Sequence, residues 1–165
     1  MLSLAKLSGS PSVAAYYLDV IANGRDDYYL AAGEAPGQWA GSAAPLLGLS
    51  GPVDPDAFRA VLDGRHPDTG ERLAARRVQG FDLTLSAPKS VSVLWGLGNR
   101  SVASKVLAAH DAATAAAVLY FEEEGCVVRR GRGGMTRHRG GGLVTAAFRH
   151  RTSREGDPNL HTHLV

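Results

Sequence analysis

Apolar and polar positions alternate most cleanly over Phe81–Ser86 (FDLTLS), where Phe81, Leu83 and Leu85 fall on one face and Asp82 and Thr84 on the other. That period of two predicts a half-buried β-strand. Short apolar or alternating runs predict further strands at Leu2–Leu7, Cys126–Arg130, Leu143–His150 and Leu160–Val165. From Ser101 to Glu124 the spacing becomes helical. Ala103, Val106, Leu107, Ala117, Val118 and Phe121 recur on one side of an alanine-rich segment, with Ser101 as the expected cap and Gly125 as the stop. Shorter helices are predicted over Pro11–Ala22, opened by Ser10-Pro11 and closed by Asn23-Gly24, and over Asp56–Asp63, behind Asp54-Pro55 and stopped by Gly64. A third is predicted over Pro88–Gly96, offering Val91, Leu94 and Trp95 to a core. Gly33–Gly51, Arg65–Gly70 and Thr152–Pro158 carry turn chemistry, and Gly131–Gly142 reads as a hairpin tip.

Length and composition add bounds. At 165 residues the chain is one domain's worth, 1–165, and long enough for one good core. No stretch reads as a membrane span, and Met1–Leu7 is too short and too mixed for a signal peptide. The single cysteine, Cys126, cannot form an internal disulfide, which points to a reducing, cytoplasmic setting. The net charge of +2 hides an asymmetry: residues 126–165 hold eight arginines against Glu155 and Asp157, a balance of +6, so residues 1–125 carry −4. The basic part invites an anionic partner, and phosphodiesters are the obvious class.

That part also holds the candidate chemistry. His161 and His163 are two apart, so on a strand both imidazoles point to one face, and His150 sits on the adjoining strand candidate. Three converging neutral imidazoles make an open metal site. Spacing alone leaves solvated histidines as the other reading and names no metal. Asp82 is either a surface-facing strand residue or the partner that orients a metal-bound histidine. Two tyrosine doublets, Tyr16-Tyr17 and Tyr28-Tyr29, suit either core or chemistry; adjacent helical residues point about 100° apart, so one member can pack while the other works. Arg129, Arg130, Arg132, Arg137 and Arg139 make the hairpin polycationic, whether as a solvated loop or as a contact surface. His110 reads as an ordinary helix residue. The glycines match neither a P-loop nor a dinucleotide fingerprint, so no nucleotide cofactor is expected.

Four segments, in order, carry a specific resemblance: MLSLAKLSGSPSVAAYYL with its later YYL, RHPDTGERL, GFDLTLSAPKSVSVLWGLG and FRHRTSREGDPNLHTHLV. Together they resemble the N-terminal part of conjugative relaxases of the MobF (TrwC/TraI-type) class, in the HUH endonuclease superfamily. The resemblance implies an α+β fold, with a central antiparallel sheet built from the five predicted strands, helices packed on one face and a metal on the other. It implies His150, His161 and His163 as metal ligands, with Mg²⁺ or Mn²⁺ expected and Zn²⁺ or Ni²⁺ suited to three imidazoles. Tyr16 would be the nucleophile, Tyr28 would serve a second strand transfer, and Asp82 would orient a ligand histidine or help deprotonate the tyrosine. The function implied is metal-dependent nicking and strand transfer at a conjugative transfer origin through a 5′-phosphotyrosine. The partners would be single-stranded origin DNA and conjugation accessory or coupling proteins, with no membrane. The arginine hairpin would contact the DNA backbone. Family domains continue past the position of Val165, so the resemblance also implies a C-terminally truncated fold. An inactive single-stranded-DNA-binding remnant is the alternative, and a rolling-circle replication initiator a third reading.

Overall fold

Strand pairing places the predicted histidine strands side by side in the middle of the molecule. The computed structural model describes residues 1–8, 15, 17, 35–73, 78–153 and 155–165. Among these, β1 (Leu2–Leu7), β2 (Gln38–Ala40), β3 (Gly80–Ser86), β6 (Thr145–Thr152) and β7 (Pro158–Leu164) form a five-stranded antiparallel sheet in the order β1-β3-β7-β6-β2. The strand that carries His161 and His163 is therefore central. Val165 continues the ladder, exchanging both backbone hydrogen bonds with Ala146 at 2.8 and 3.0 Å.

Two expectations change here. Cys126–Arg130 does not join this sheet: Val127–Arg130 (β4) pairs with Thr136–Arg139 (β5) as a separate ribbon whose eight strand residues are all exposed. The glycine-rich turn brings the two strands together at once, so local pairing costs less loop entropy than reaching the distant sheet. The fifth place is taken by β2, three residues that turn patterning hid inside a loop-rich stretch. Trp39 of β2 packs on the core, and Gly37 beside it touches Phe148 so closely that a Cβ there would lie 2.5 Å from the ring.

The helices follow local signals. Helix α1 (Pro55–Leu62) is capped by Asp54, whose Oδ1 accepts from the Asp56 and Ala57 amides at 3.0 and 2.8 Å, a cap worth about 1 kcal/mol. Its Phe58 and Leu62, one turn apart, are buried. Helix α2 (Lys89–Leu97) starts behind Pro88, and α3 (Arg100–Tyr120) runs on into a π-helical turn over Phe121–Gly125. Asn99 caps α3 in place of Ser101, accepting the Val102 amide at 3.1 Å. The predicted helix over Pro11–Ala22 lies outside the described residues, apart from Ala15 and Tyr17.

Helices α2 and α3 cover one face of the sheet, where Thr162 and Arg149 point. The other face carries the histidines and, further along, a cluster of Leu7, Tyr17, Phe58, Leu62, Ala146 and Phe148. Contrary to the sequence reading, Arg100–Gly125 is long and apolar enough to cross a membrane by length and composition. Here its His110 and Asp111 make polar links to Thr162 and Arg149 of the sheet.

Candidate metal centre

The centre is built by strand parity. His150 and His161 are direct cross-strand partners on β6 and β7, and His163 pairs with Phe148 on one side and Thr84 on the other. All three imidazoles therefore rise from the same face of two adjacent strands, β6 and β7. Their ring centroids lie 4.9, 5.2 and 5.2 Å apart, and one nitrogen from each falls within 4.8 Å of the others.

Hydrogen bonds select which nitrogen is free. His163 Nδ1 donates to Asp82, 3.0 and 2.9 Å from its two oxygens, and His161 Nδ1 donates to the Asn159 carbonyl at 2.7 Å. Both rings are left with Nε2 as the ligand atom. His150 presents a buried Nε2 without a protein partner, the kind of orphan that an ion satisfies. The donor set therefore fits a divalent metal: three neutral imidazoles, each offering Nε2, with further positions open.

Burial disfavours protonation of His150 and His161. Burial and the neighbouring His161 and His163 push His150 down to about 3, and burial also lowers His161. Burial alone would raise the Asp82 carboxyl, but hydrogen bonds from His163 and Tyr17 outweigh it and hold it below its ordinary 3.8. A histidine that resists protonation when folded takes up a proton when unfolded, so the unfolded state binds more protons between pH 6.5 and about 3. The metal-free protein is thus expected to lose stability as pH falls through that window, at up to about 1.4 kcal/mol per pH unit for one such histidine. Asp82 adds a loss of the same sign below 3.8. Urea midpoints measured from pH 7 to 4 check this; a flat profile would mean that the imidazoles are not buried.

Around the three rings, side chains complete a network. The Tyr17 hydroxyl donates to Asp82 Oδ2 at 2.6 Å, and its ring, 4% exposed, stacks on Phe148. Asp82 is itself 6% exposed, so the structure buries the carboxylate. Thr84, which sequence alternation placed beside Asp82 but did not single out, approaches His163 Nδ1 at 3.2 Å. Sequence reasoning also missed Ser92. Where β3 leaves the sheet at Ala87-Pro88, the Leu160 amide has no strand partner, and the buried Ser92 hydroxyl accepts it at 3.0 Å. Lys89 donates to the Pro158 carbonyl at 2.9 Å and pairs with Asp157. Gly96 leaves room for Pro158, whose Cγ would meet a Cβ at 2.8 Å. No sequence signal could mark Ser92 or Lys89, because their partners depend on the path of β3. Tyr16, Tyr28 and Tyr29 lie outside the described residues. The five hairpin arginines stand on or beside the exposed β4–β5 ribbon, a sheet separate from the one that carries the three imidazoles.

Three imidazoles on a central antiparallel strand pair, braced by a buried carboxylate and a tyrosine, define an α+β protein with a three-histidine cluster that could hold a metal ion. A sequence model of the TrwC relaxase family matches residues 11–165, and the chain belongs to that family. It is 38% identical over 170 residues to the multifunctional conjugation protein TraI of Escherichia coli (strain K12), covering all of this chain and 9% of that protein. Among solved structures it resembles the conjugative relaxase TrwC in complex with oriT DNA in a metal-bound form, with a TM-score of 0.77 and 38% identity over all of this chain and 56% of that one. TrwC complexed with a 27-mer DNA comprising the recognition hairpin and the cleavage site gives a TM-score of 0.76 and 34% identity, covering all of this chain and 54% of that one. The chain thus spans about half of these solved relaxases and a small part of TraI.

Proposed function

We propose that this chain carries the catalytic centre of a metal-dependent DNA relaxase, which nicks single-stranded transfer-origin DNA and transfers the strand through a 5′-phosphotyrosine. One observation carries the reading: Asp82 bonds both Tyr17 and His163, which ties the first tyrosine doublet to the three-histidine cluster. The DNA and metal named for the TrwC complexes support the substrate class and a bound metal, without naming which.

Tyr16 is the nucleophile in this reading. Its phenolic oxygen attacks the scissile phosphorus, the bond to the 3′-oxygen breaks, and the departing 3′-oxygen takes up a proton while the phenol's passes to solvent. The new phosphotyrosine retains the bond energy, so the strand can be rejoined without a nucleotide. A divalent ion, Mg²⁺ or Mn²⁺ first, held by His150, His161 and His163, supplies the positive field that favours phenolate and developing phosphoryl charge. Asp82 suits orientation better than proton abstraction, because it is buried, its pKa is lowered, and it already accepts from Tyr17 and His163. Incubation with Mn²⁺ and a labelled origin oligonucleotide is expected to give a covalent adduct on a denaturing gel. Binding without adduct in any divalent metal would favour the inactive DNA-binding remnant.

The ribbon is proposed as the contact for the DNA backbone. Arg129 and Arg137 are direct cross-strand partners, and Arg139 shares their face. Like charges placed opposite each other are unfavourable, and a polyanion relieves them. If the ribbon neutralises about four phosphates, it contributes roughly −3 to the log–log salt slope of binding. Charge reversal at Arg129, Arg130 and Arg132 is expected to flatten that slope; an unchanged slope would return these arginines to a solvated loop. Conjugation accessory or coupling proteins are the further partners of this reading, in a cytoplasmic setting.

A further inference from the structure

Two consecutive residues of α3 grip the histidine strands from behind. His110 Nε2 and Thr162 Oγ1 are 2.9 Å apart, with the two residues 9% and 3% exposed. Asp111 accepts Arg149 Nη1 on both oxygens, at 2.7 and 2.6 Å. Thr162 lies between His161 and His163, and Arg149 directly precedes His150. Arg149 and Thr162 are moreover cross-strand partners, and the next rung of the same ladder is His150 with His161. Beyond that rung the register shifts, between His150 and Thr152. The ligand rung is thus the last regular one, and the rung behind it is held from outside the sheet by one turn of a helix.

We propose that His110 and Asp111 are positioning residues for the metal centre, fixing the shear between β6 and β7 and with it the spacing of the ligand nitrogens. This rests on the reading that His150, His161 and His163 bind a divalent ion. Packing alone does not require such groups. The Asp111 side chain is 53% exposed and the Arg149 side chain 30%, so little of the fold's stability comes from that pair. Geometry is a stricter demand, because a preorganised site tolerates displacements of only about 0.5 Å.

Cobalt titration of the full chain, followed by its visible d–d bands and paired with thermal unfolding of the metal-free proteins, tests the idea. D111N and T162V are expected to weaken Co²⁺ binding about 10-fold or more and to alter the bands. H110Q, which keeps a polar head facing Thr162, is expected to recover much of what H110A loses. The control is V118A, about two turns further along the same helix: it removes a buried side chain but neither of the two polar links to this rung, so it should lower the unfolding temperature yet hold affinity within about twofold. Wild-type affinity in D111N and T162V, or an equal loss in V118A, overturns the proposal. Should H110A fail to fold, the surface variant D111N decides. A wild-type chain that takes up no cobalt overturns the metal reading itself, and the positioning role with it.

Discussion

A His163→Ala chain is expected to lose its divalent metal and to unfold more readily than its parent, whereas His150→Ala is expected to lose the metal at a smaller cost to the metal-free fold. Either substitution deletes one of three Nε2 ligands, and with two left the affinity should fall beyond the roughly 10–100-fold that outer partners of a metal site command. The consequences for the metal-free fold differ because the two rings are held differently. His163 donates to the buried Asp82, and its removal leaves that carboxylate with Tyr17 and Thr84 in place of its shortest ring contact, at a cost of about 3 kcal/mol. His150 instead buries an Nε2 that has no protein partner, so truncation removes an unsatisfied group and offsets part of the lost packing. It should also flatten the acid loss of stability, since this is the histidine pushed down to about 3. Calorimetric Mn²⁺ titration and urea unfolding of the two variants separate these effects. Metal retained by either variant would sink the three-ligand assignment.

Much of this centre was legible because strand parity is local. The alternation of FDLTLS put Asp82 and Thr84 on one face, and the two-residue spacing of His161 and His163 put their rings together before any partner strand was known. Register was not legible. That His150 meets His161, and not a residue two places away, depends on the bulged turn between β6 and β7 and on Ser153 and Asp157 bonding across it. The ribbon escaped for a related reason: Val127–Arg130 has the composition of a strand, but only its competing partners decide whether it joins the large sheet or folds back on Thr136–Arg139. His110 looked ordinary because a helix residue's value here lies in a hydroxyl on a strand 52 residues away. The TrwC-type order of motifs supplied roles; only the packed structure supplies the support behind them.

The tyrosine doublet yields the other large effect, and the two members are expected to fail in opposite ways. Tyr16→Phe should abolish the covalent adduct with origin DNA while leaving metal affinity and unfolding temperature as in the parent. Tyr17→Phe should keep the adduct and lose stability. The Tyr17 hydroxyl donates to a buried carboxylate at 2.6 Å and its ring is 4% exposed between Phe58 and Phe148, so it is spent on the core and on Asp82. A hydrogen bond to a charged group contributes about 1.5–3 kcal/mol, and that is the expected loss. Some metal affinity should go with it, since Asp82 then orients His163 with one fewer anchor. Tyr28→Phe should leave the first adduct intact and remove only a second strand transfer, read with a two-oligonucleotide exchange. An adduct that persists in Tyr16→Phe and disappears in Tyr17→Phe would reverse the assignment. It would also require Tyr17 to leave the core and Asp82 to give up its shortest hydrogen bond before each attack, a movement that a stacked, buried phenol makes only by opening the cluster of Leu7, Phe58 and Phe148 around it.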